Sequence, residues 1–264
     1  MKKFYFLLPI LLFTSCATVE EDTSAEDNPI LVTKMVQDGD NYTFSYNGAK
    51  IVTMTNTTDN FKRTYTYSGD LITKYLDTYA DGSTQTTNVT YNSSNKILKK
   101  SSTYQGGTYT TDYAYIGADR VRITVVLAQT NSTKTYVKDV YLNTDGSLKN
   151  WTETVADVKP TTTQNGTGIL KNVAYDGGSF PFKNITGYTR LLESEEMNGS
   201  SRNVIDYNNR IQYTNIPGDE WTIYHSTYEY NTNGYPKKET KDSYEKTGTS
   251  ITKTEITTYE YNHL

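Results

Sequence analysis

The sequence predicts an all-β protein: an antiparallel meander of repeated β-hairpins, curled or closed into one barrel-like sheet. Three observations predict it. From about residue 40 the chain is rich in Thr, Tyr, Asn and Gly, which are strand formers with turn punctuation. Tyrosines alternate with polar residues at the strand period, so Tyr65 and Tyr67 share a face, as do Tyr113 and Tyr115, Tyr228 and Tyr230, and Tyr259 and Tyr261. A hairpin-sized unit then recurs along the chain. No stretch beyond the N-terminal apolar run keeps apolar residues at helical spacing for three turns; Leu191 to Met197 is the best and is short.

The first element is an export signal, residues 1–15. Lys2 and Lys3 precede an apolar run of ten residues, Phe4 to Phe13, interrupted by Pro9. A bilayer span needs ~20 residues, so this run suits a cleaved signal and not a helix that stays in the membrane. The only cysteine, Cys16, follows in LLFTSCAT, with the small residues Thr14 and Ser15 before it. This resembles the bacterial lipobox, whose cysteine is acylated and becomes the mature N-terminus. Phe13 stands three residues before the cysteine where that pattern usually has Leu. The resemblance implies lipidation at Cys16 and a membrane partner reached through acyl chains, each buried methylene contributing ~0.8 kcal/mol.

Residues 16–39 read as a flexible acidic tether. Glu20, Glu21, Asp22, Glu26 and Asp27 lie close together with little that is apolar, and such a segment cannot bury enough surface to offset ordering. Acidic residues just after the cysteine resemble the surface-export signal of Bacteroidetes-type lipoproteins, which implies an outer-membrane, lipid-anchored, cell-surface location. A plain solvated spacer is the other reading.

Residues 40–264 read as one β-hairpin-repeat domain. The unit is an aromatic-x-Tyr strand end, a polar turn, then an aliphatic residue opening the return strand. It occurs as YTFSYNGAKIV ending at Val52, YTYSGDLI at Ile72, VTYNSSNKIL at Leu98, YAYIGADRV at Val121, VYLNTDGSL at Leu148 and YEYNTNGYP at Pro236, with a truncated YEYNHL at the end. The steps from Tyr46 to Tyr67, Tyr91 and Tyr115 are 21, 24 and 24 residues. Two strands and two short turns account for that period. These units resemble the YD repeats of Rhs-type bacterial surface proteins, most closely at Tyr91–Ile97 and Tyr115–Val121, although no copy keeps an intact Tyr-Asp pair. The resemblance implies a surface lipoprotein of hairpin-repeat type, and it carries over a fold and an address without an activity.

An irregular insertion is expected at about 157–218, where Pro160, Gly177-Gly178-Ser179-Phe180-Pro181 and Asn198–Asn203 read as loops. It either completes the sheet or plugs its open end. Completion is preferred, because Asn172–Tyr175, Tyr188–Glu193 and Ile211–Thr214 keep strand composition. A flat sheet of this length would expose an apolar face and two edges, which curling removes. The face opposite the tyrosines is Thr, Lys, Glu and Asn, as in Thr252-Lys253-Thr254-Glu255, so insertion into lipid is not expected.

Composition narrows the function. There are 26 basic and 30 acidic residues, so no basic excess exists for nucleic acid. Loss of Lys2 and Lys3 with the signal takes the basic count from 26 to 24 and the net charge from −4 to −6. Two histidines and one cysteine leave no Cys/His zinc site and no disulfide framework, and no cofactor is implied. His225 and His263 have no nucleophile motif beside them. The acids Glu193, Glu195 and Glu196, and Asp219 with Glu220, could serve a glycoside hydrolase but read better as solvated turns. Tyrosine is the one abundant resource, 25 in all. Most are expected to be core and cross-strand ladder. A carbohydrate-binding site would instead use Trp151, Trp221 and Tyr224. The expectation is therefore a non-enzymatic, membrane-anchored structural or binding module, with a glycan or another envelope protein as partner. The alternatives are a carbohydrate-binding accessory lipoprotein of a glycan-uptake system and a hydrolase.

Overall fold

A computed structural model describes residues 28–104, 106–158, 163–191, 202–213 and 219–263. The signal segment, Cys16, the acids Glu193–Glu196 and the loop at Pro160 lie outside them. Sixteen strands follow one another in the chain and around the wall. They are β1 Val32–Gln37, β2 Asp40–Asn47, β3 Lys50–Asn56, β4 Phe61–Ser68, β5 Leu71–Thr78, β6 Thr84–Tyr91, β7 Ile97–Tyr104 and β8 Gly107–Ile116, then β9 Arg120–Gln129, β10 Ser132–Leu142, β11 Leu148–Val158, β12 Thr163–Ser179, β13 Arg202–Tyr213, β14 Asp219–Tyr230, β15 Pro236–Tyr244 and β16 Ile251–Tyr261. Each pairs antiparallel with its sequence neighbours, and β1 pairs with β16, so the meander closes into a barrel. Closure removes both sheet edges.

The expected all-β hairpin meander is what folds, and the repeat has a physical cause. Each copy places its turn at the same end of the barrel. Inward tyrosines at this end of the wall donate their hydroxyls back to the carbonyl that opens an earlier return strand in several places, while Tyr67 donates to Thr186 O and Tyr230 to Asp176. Tyr91 Oη donates to Ile72 O at 2.8 Å, Tyr175 to Leu148 O at 3.1 Å, and Tyr261 to Pro236 O at 2.8 Å. Tyr46 reaches Val32 O at 2.6 Å, and Tyr67 Oη accepts the Ile51 amide at 3.2 Å. Tyrosine is thus the stitch between consecutive hairpins, and phenylalanine could not replace it. A register shift falls immediately before this position in five copies, at Tyr46, Tyr67, Tyr91, Tyr230 and Leu142, which takes the tyrosine's place. Such bulges bend the strand and increase its twist, which helps a long sheet curl shut. The turns themselves use a left-handed residue at one fixed place: Asn95, Gly146 and Gly234.

The aliphatic residues that open the return strands form a ring inside this end. Ile51, Ile72, Ile97, Val121 and Leu148 are each at most 1% exposed, and burying such a side chain contributes about 1.5–3 kcal/mol. Sixteen strands enclose more space than wall side chains fill, so the ring needs a cover. Phe180–Leu191 supplies it. This segment enters the barrel between β12 and β13, with Ile185 and Leu191 buried and Phe182 against Phe44 and Tyr188 at 5.5 Å each. The Thr186 amide donates to Ala49 O at 2.9 Å, and Tyr67 Oη to Thr186 O at 3.1 Å.

Two expectations need correction. Residues 157–218 both complete the wall, through β12 and β13, and plug its end; Tyr188–Leu191 is a 3₁₀ helix and not a strand. Its strand-like composition instead serves burial beneath the ring. The tether read as 16–39 also ends too late, because Val32–Gln37 is β1, which closes the barrel. That strand lacks the tyrosine signature: Lys34 and Val36 lie on its outer face, and the residues opposite the inward Tyr261, Tyr259 and Thr257 are Val32, Met35 and Gln37.

Burial of phenols has a pH signature. Desolvation pushes Tyr115 up to about 12 and Tyr67 likewise to about 12, and it raises Tyr46 and Tyr261 further, with neighbouring tyrosines adding to the shift. Between an unfolded value of ~10 and these folded values the native state holds more protons than the unfolded chain. Stability is therefore full below pH ~10 and falls as pH rises through about 12. A 295 nm titration should show a delayed fraction of the tyrosines ionising together with loss of β-sheet dichroism. Complete ionisation near pH 10 with the sheet intact would contradict the stitched arrangement.

Candidate functional site

The inner and outer surfaces of the wall differ in kind. On β6, Thr84, Thr86, Asn88 and Thr90 are exposed while Thr87 and Val89 are buried. On β16 the outer residues are Thr252, Thr254, Ile256, Thr258 and Glu260. Outer charges stand along the strands, among them Lys62, Lys74, Lys99 and the pair Arg122–Asp139 at 2.7 Å. Large apolar side chains exposed among the described residues are scattered: Val52, Leu98, Tyr109, Ile169, Ile251 and Ile256.

The lumen carries charge, but it is neutralised in place. Arg63 forks onto Asp77 at 2.6 and 2.8 Å and lies 4.3 Å over the Tyr75 ring. Lys138 pairs with Glu153 at 3.6 Å, and Lys241 and Lys253 share Glu255 at 3.0 and 2.9 Å. Glu239 accepts Ser226, Tyr228 and Tyr259 hydroxyls at 2.8, 3.0 and 3.3 Å. Burial first, then the Glu239 charge, drives both phenols well above their ordinary range. In these networks among the described residues each charge is engaged by a partner of opposite sign or by hydroxyl donors.

A cavity of about 590 Å³ opens at the rim opposite the repeat turns, between the ends of β2, β3, β4 and β5. Tyr42, Met54, Phe61 and Tyr79 form its walls, and Asn56, Asp59 and Asp81 its polar edge. Phe61 and Tyr79 stand 5.6 Å apart with their planes at 55°. The turn that carries Asp59 is held by Asn56, whose Oδ1 accepts the Thr58 and Asp59 amides and whose Nδ2 donates to Asp59 Oδ2 at 2.9 Å. Asp81 Oδ1 accepts the Ser83 amide and hydroxyl, which lowers its pKa.

The three residues nominated for a ligand site do not meet. Trp151 is 1% exposed and donates its indole N–H to Tyr207 Oη at 3.3 Å, with the Lys138 ammonium 4.3 Å over its ring. Tyr224 stacks on Tyr207 inside the wall at 5.3 Å. Trp221, three residues earlier on the same strand, is on the outer face beneath Arg210. Alternation along β14 separates them. His225 is also outside, 2.8 Å from Asp206, in a shallow recess of about 350 Å³, while Ser226 beside it points inward to Glu239. His263 lies exposed at the chain end. The rim cavity was not anticipated, although the acidic turns at Asp59 and at Asp81-Gly82, each preceded or followed by an aromatic strand end, were its visible signal.

The fold has known counterparts. A porin-like protein from Bacteroides vulgatus superimposes with a TM-score of 0.52 at 13% identity, covering 89% of this chain and 100% of its own. A second porin-like protein, from Bacteroides uniformis, covers 84% of this chain and 77% of its own at 13% identity, with a TM-score of 0.36. The sequence matches no protein-family model and no curated protein. The first likeness supports the closed barrel architecture.

Proposed function

We propose that this chain is an outer-membrane lipoprotein, moored through Cys16 at the cell surface, whose barrel stands in water as a non-catalytic binding module. One observation carries the reading: the outer wall is polar where a lipid-embedded barrel is apolar. Each Lys or Arg at mid-bilayer depth on a lipid-facing wall costs ~2–4 kcal/mol, and Lys62, Lys74, Lys99 and Arg122 all project outward. An apolar band ~25 Å tall with aromatic girdles would be needed instead, and the tyrosines that could build one face the lumen. The acyl chains on Cys16 then supply the attachment, and the acidic stretch after it the export address.

The lumen is the binding compartment in this reading. Its ring end is filled by the plug, and its opposite rim holds the aromatic cavity. The carbohydrate alternative has its nominated residues divided, since Trp221 lies on the outer face while Trp151 and Tyr224 both meet Tyr207 inside the wall. The deciding experiment is detergent-phase partitioning of the native protein and of Cys16→Ala. The native protein is expected in the detergent phase, and the variant in the aqueous phase as a folded β protein. A variant that stays in the detergent phase would mean that the wall itself sits in lipid.

A further inference from the structure

We propose that the rim cavity binds a small organic cation, an amine or quaternary ammonium with an apolar body. The inference rests on the lumen being a binding compartment and assigns that compartment its ligand chemistry.

The charge around the cavity is one-sided. Asp59 and Asp81 stand exposed at its edge, Asp40 lies on the Tyr42 strand, and Asp77 sits beneath. The single cation among these, Arg63, is held by both oxygens of Asp77. The field is felt inside: the Tyr42 phenol is raised by burial first and then by Asp40, with Asp59 adding to it. An anion would be repelled there.

The hydrogen-bonding capacity is equally one-sided. Asn56 accepts two amides of its own turn and donates to Asp59 and to the Tyr42 phenol oxygen, and the Tyr79 hydroxyl donates to Gln85 Oε1 at 3.0 Å. One oxygen of each rim carboxylate is engaged by its turn, Oδ2 of Asp59 and Oδ1 of Asp81, and the other points away from those bonds. The cavity therefore offers mostly acceptors and π-faces, with the Tyr42 hydroxyl as a side-chain donor. A sugar finds few donors there and no charge that it needs, whereas a cation finds an acidic field. An ammonium, which only donates or carries diffuse positive charge, suits a lining that combines the Asp59 and Asp81 carboxylates, the inclined rings of Phe61 and Tyr79 and the polarizable Met54 thioether, with Arg63, 6.0 Å over the Phe61 ring, held neutral by Asp77.

The test uses the mature Cys16→Ala chain, which differs from the native protein only in its anchor. Binding is followed by calorimetry and by ring-proton shifts of Phe61 and Tyr79. The probes are choline, its uncharged isostere 3,3-dimethylbutan-1-ol, and N-acetylglucosamine. Choline is expected to bind at least about tenfold more tightly than the isostere, and to weaken severalfold as salt rises to ~0.5 M. Asp59→Asn and Asp81→Asn should each weaken choline by about three- to tenfold while dichroism is unchanged, since both are solvated turn residues. Phe61→Leu should weaken it further; if that variant misfolds, the two aspartate variants still decide. Equal binding of choline and the isostere, preferential binding of the sugar, or no choline binding up to about 100 mM would each overturn the proposal. A failure here with Cys16→Ala in the aqueous phase defeats the ligand assignment alone, whereas retention of Cys16→Ala in detergent defeats the reading beneath it.

Discussion

Trp151→Ala should destabilise the barrel by about 3–5 kcal/mol, the range for emptying a buried aromatic site. The indole is 1% exposed and spans from β11 across β12 to Tyr207 on β13. Removal does more than leave a hole. Tyr207 Oη loses the indole donor that stands beside its contact with the Asn209 amide at 3.3 Å. Lys138, seated over the indole face, would be left with Glu153 alone at 3.6 Å. Trp151→Phe keeps most of the apolar volume and loses the N–H, so its cost should be about 1–2 kcal/mol. Urea unfolding at constant slope measures both. A loss below about 1 kcal/mol for the alanine variant would mean that this part of the wall is not packed. The same variant should leave choline binding unchanged at the rim, which separates a wall residue from a ligand platform.

The difference between Trp151 and Trp221 shows where sequence reading succeeds and where it stops. Alternation places Tyr224 and Trp221 on opposite faces of one strand, and that much follows from counting residues. Which face becomes the inside follows from the tyrosines, because Tyr65, Tyr75 and Tyr113 are buried where Lys62, Thr66 and Asp112 are exposed. The hairpin period and the turn residues are local, so they survive translation from sequence to structure unchanged. Closure is not local. The pairing of β1 with β16 joins Met35 to Tyr259 across almost the whole chain, and no spacing in the sequence announces it. The plug was legible only as the less favoured of two readings of 157–218, because Tyr188–Leu191 has strand composition and only the void inside a sixteen-stranded wall makes it a cover. The rim cavity combines both difficulties. Phe61 and Tyr79 are separated by a full hairpin and meet only because β4 and β5 pair in that register.

In the proposed reading, the polar outer wall and the plug together let a porin-like architecture stand in water. A lipid-embedded barrel hides its apolar surface outside, whereas this chain hides it inside, in the tyrosine stitches and the aliphatic ring. The ring is stable only while something covers it, which makes the plug's contact with the wall a point of weakness.

Gly187→Ala should undock that cover. Gly187 has φ of +74°, and a Cβ there would lie 2.5 Å from the Asp70 carbonyl oxygen. The left-handed conformation alone costs an alanine ~1–2 kcal/mol. The contact adds to it, because Asp70 is backbone in a two-residue turn that Lys50 clamps through Gly69 O at 2.9 Å and Asp70 Oδ1 at 3.1 Å. Neither partner yields cheaply, so the total should be about 2–4 kcal/mol, borne by the plug. Gly48→Ala is the control, with φ of +58° and nothing within 4 Å of its Cβ; it should cost only the conformational share. Hydrogen exchange distinguishes them. In Gly187→Ala the Thr186 amide, which donates to Ala49 O, should lose protection while the amides of β8 and β9 keep theirs, and a dye that reports apolar surface should bind. Equal loss in the two variants would mean that the segment never rests against the β4–β5 turn. Loss of protection through β8 and β9 as well would mean that the wall and its cover unfold as one unit, so that the ring cannot hold the barrel together uncovered.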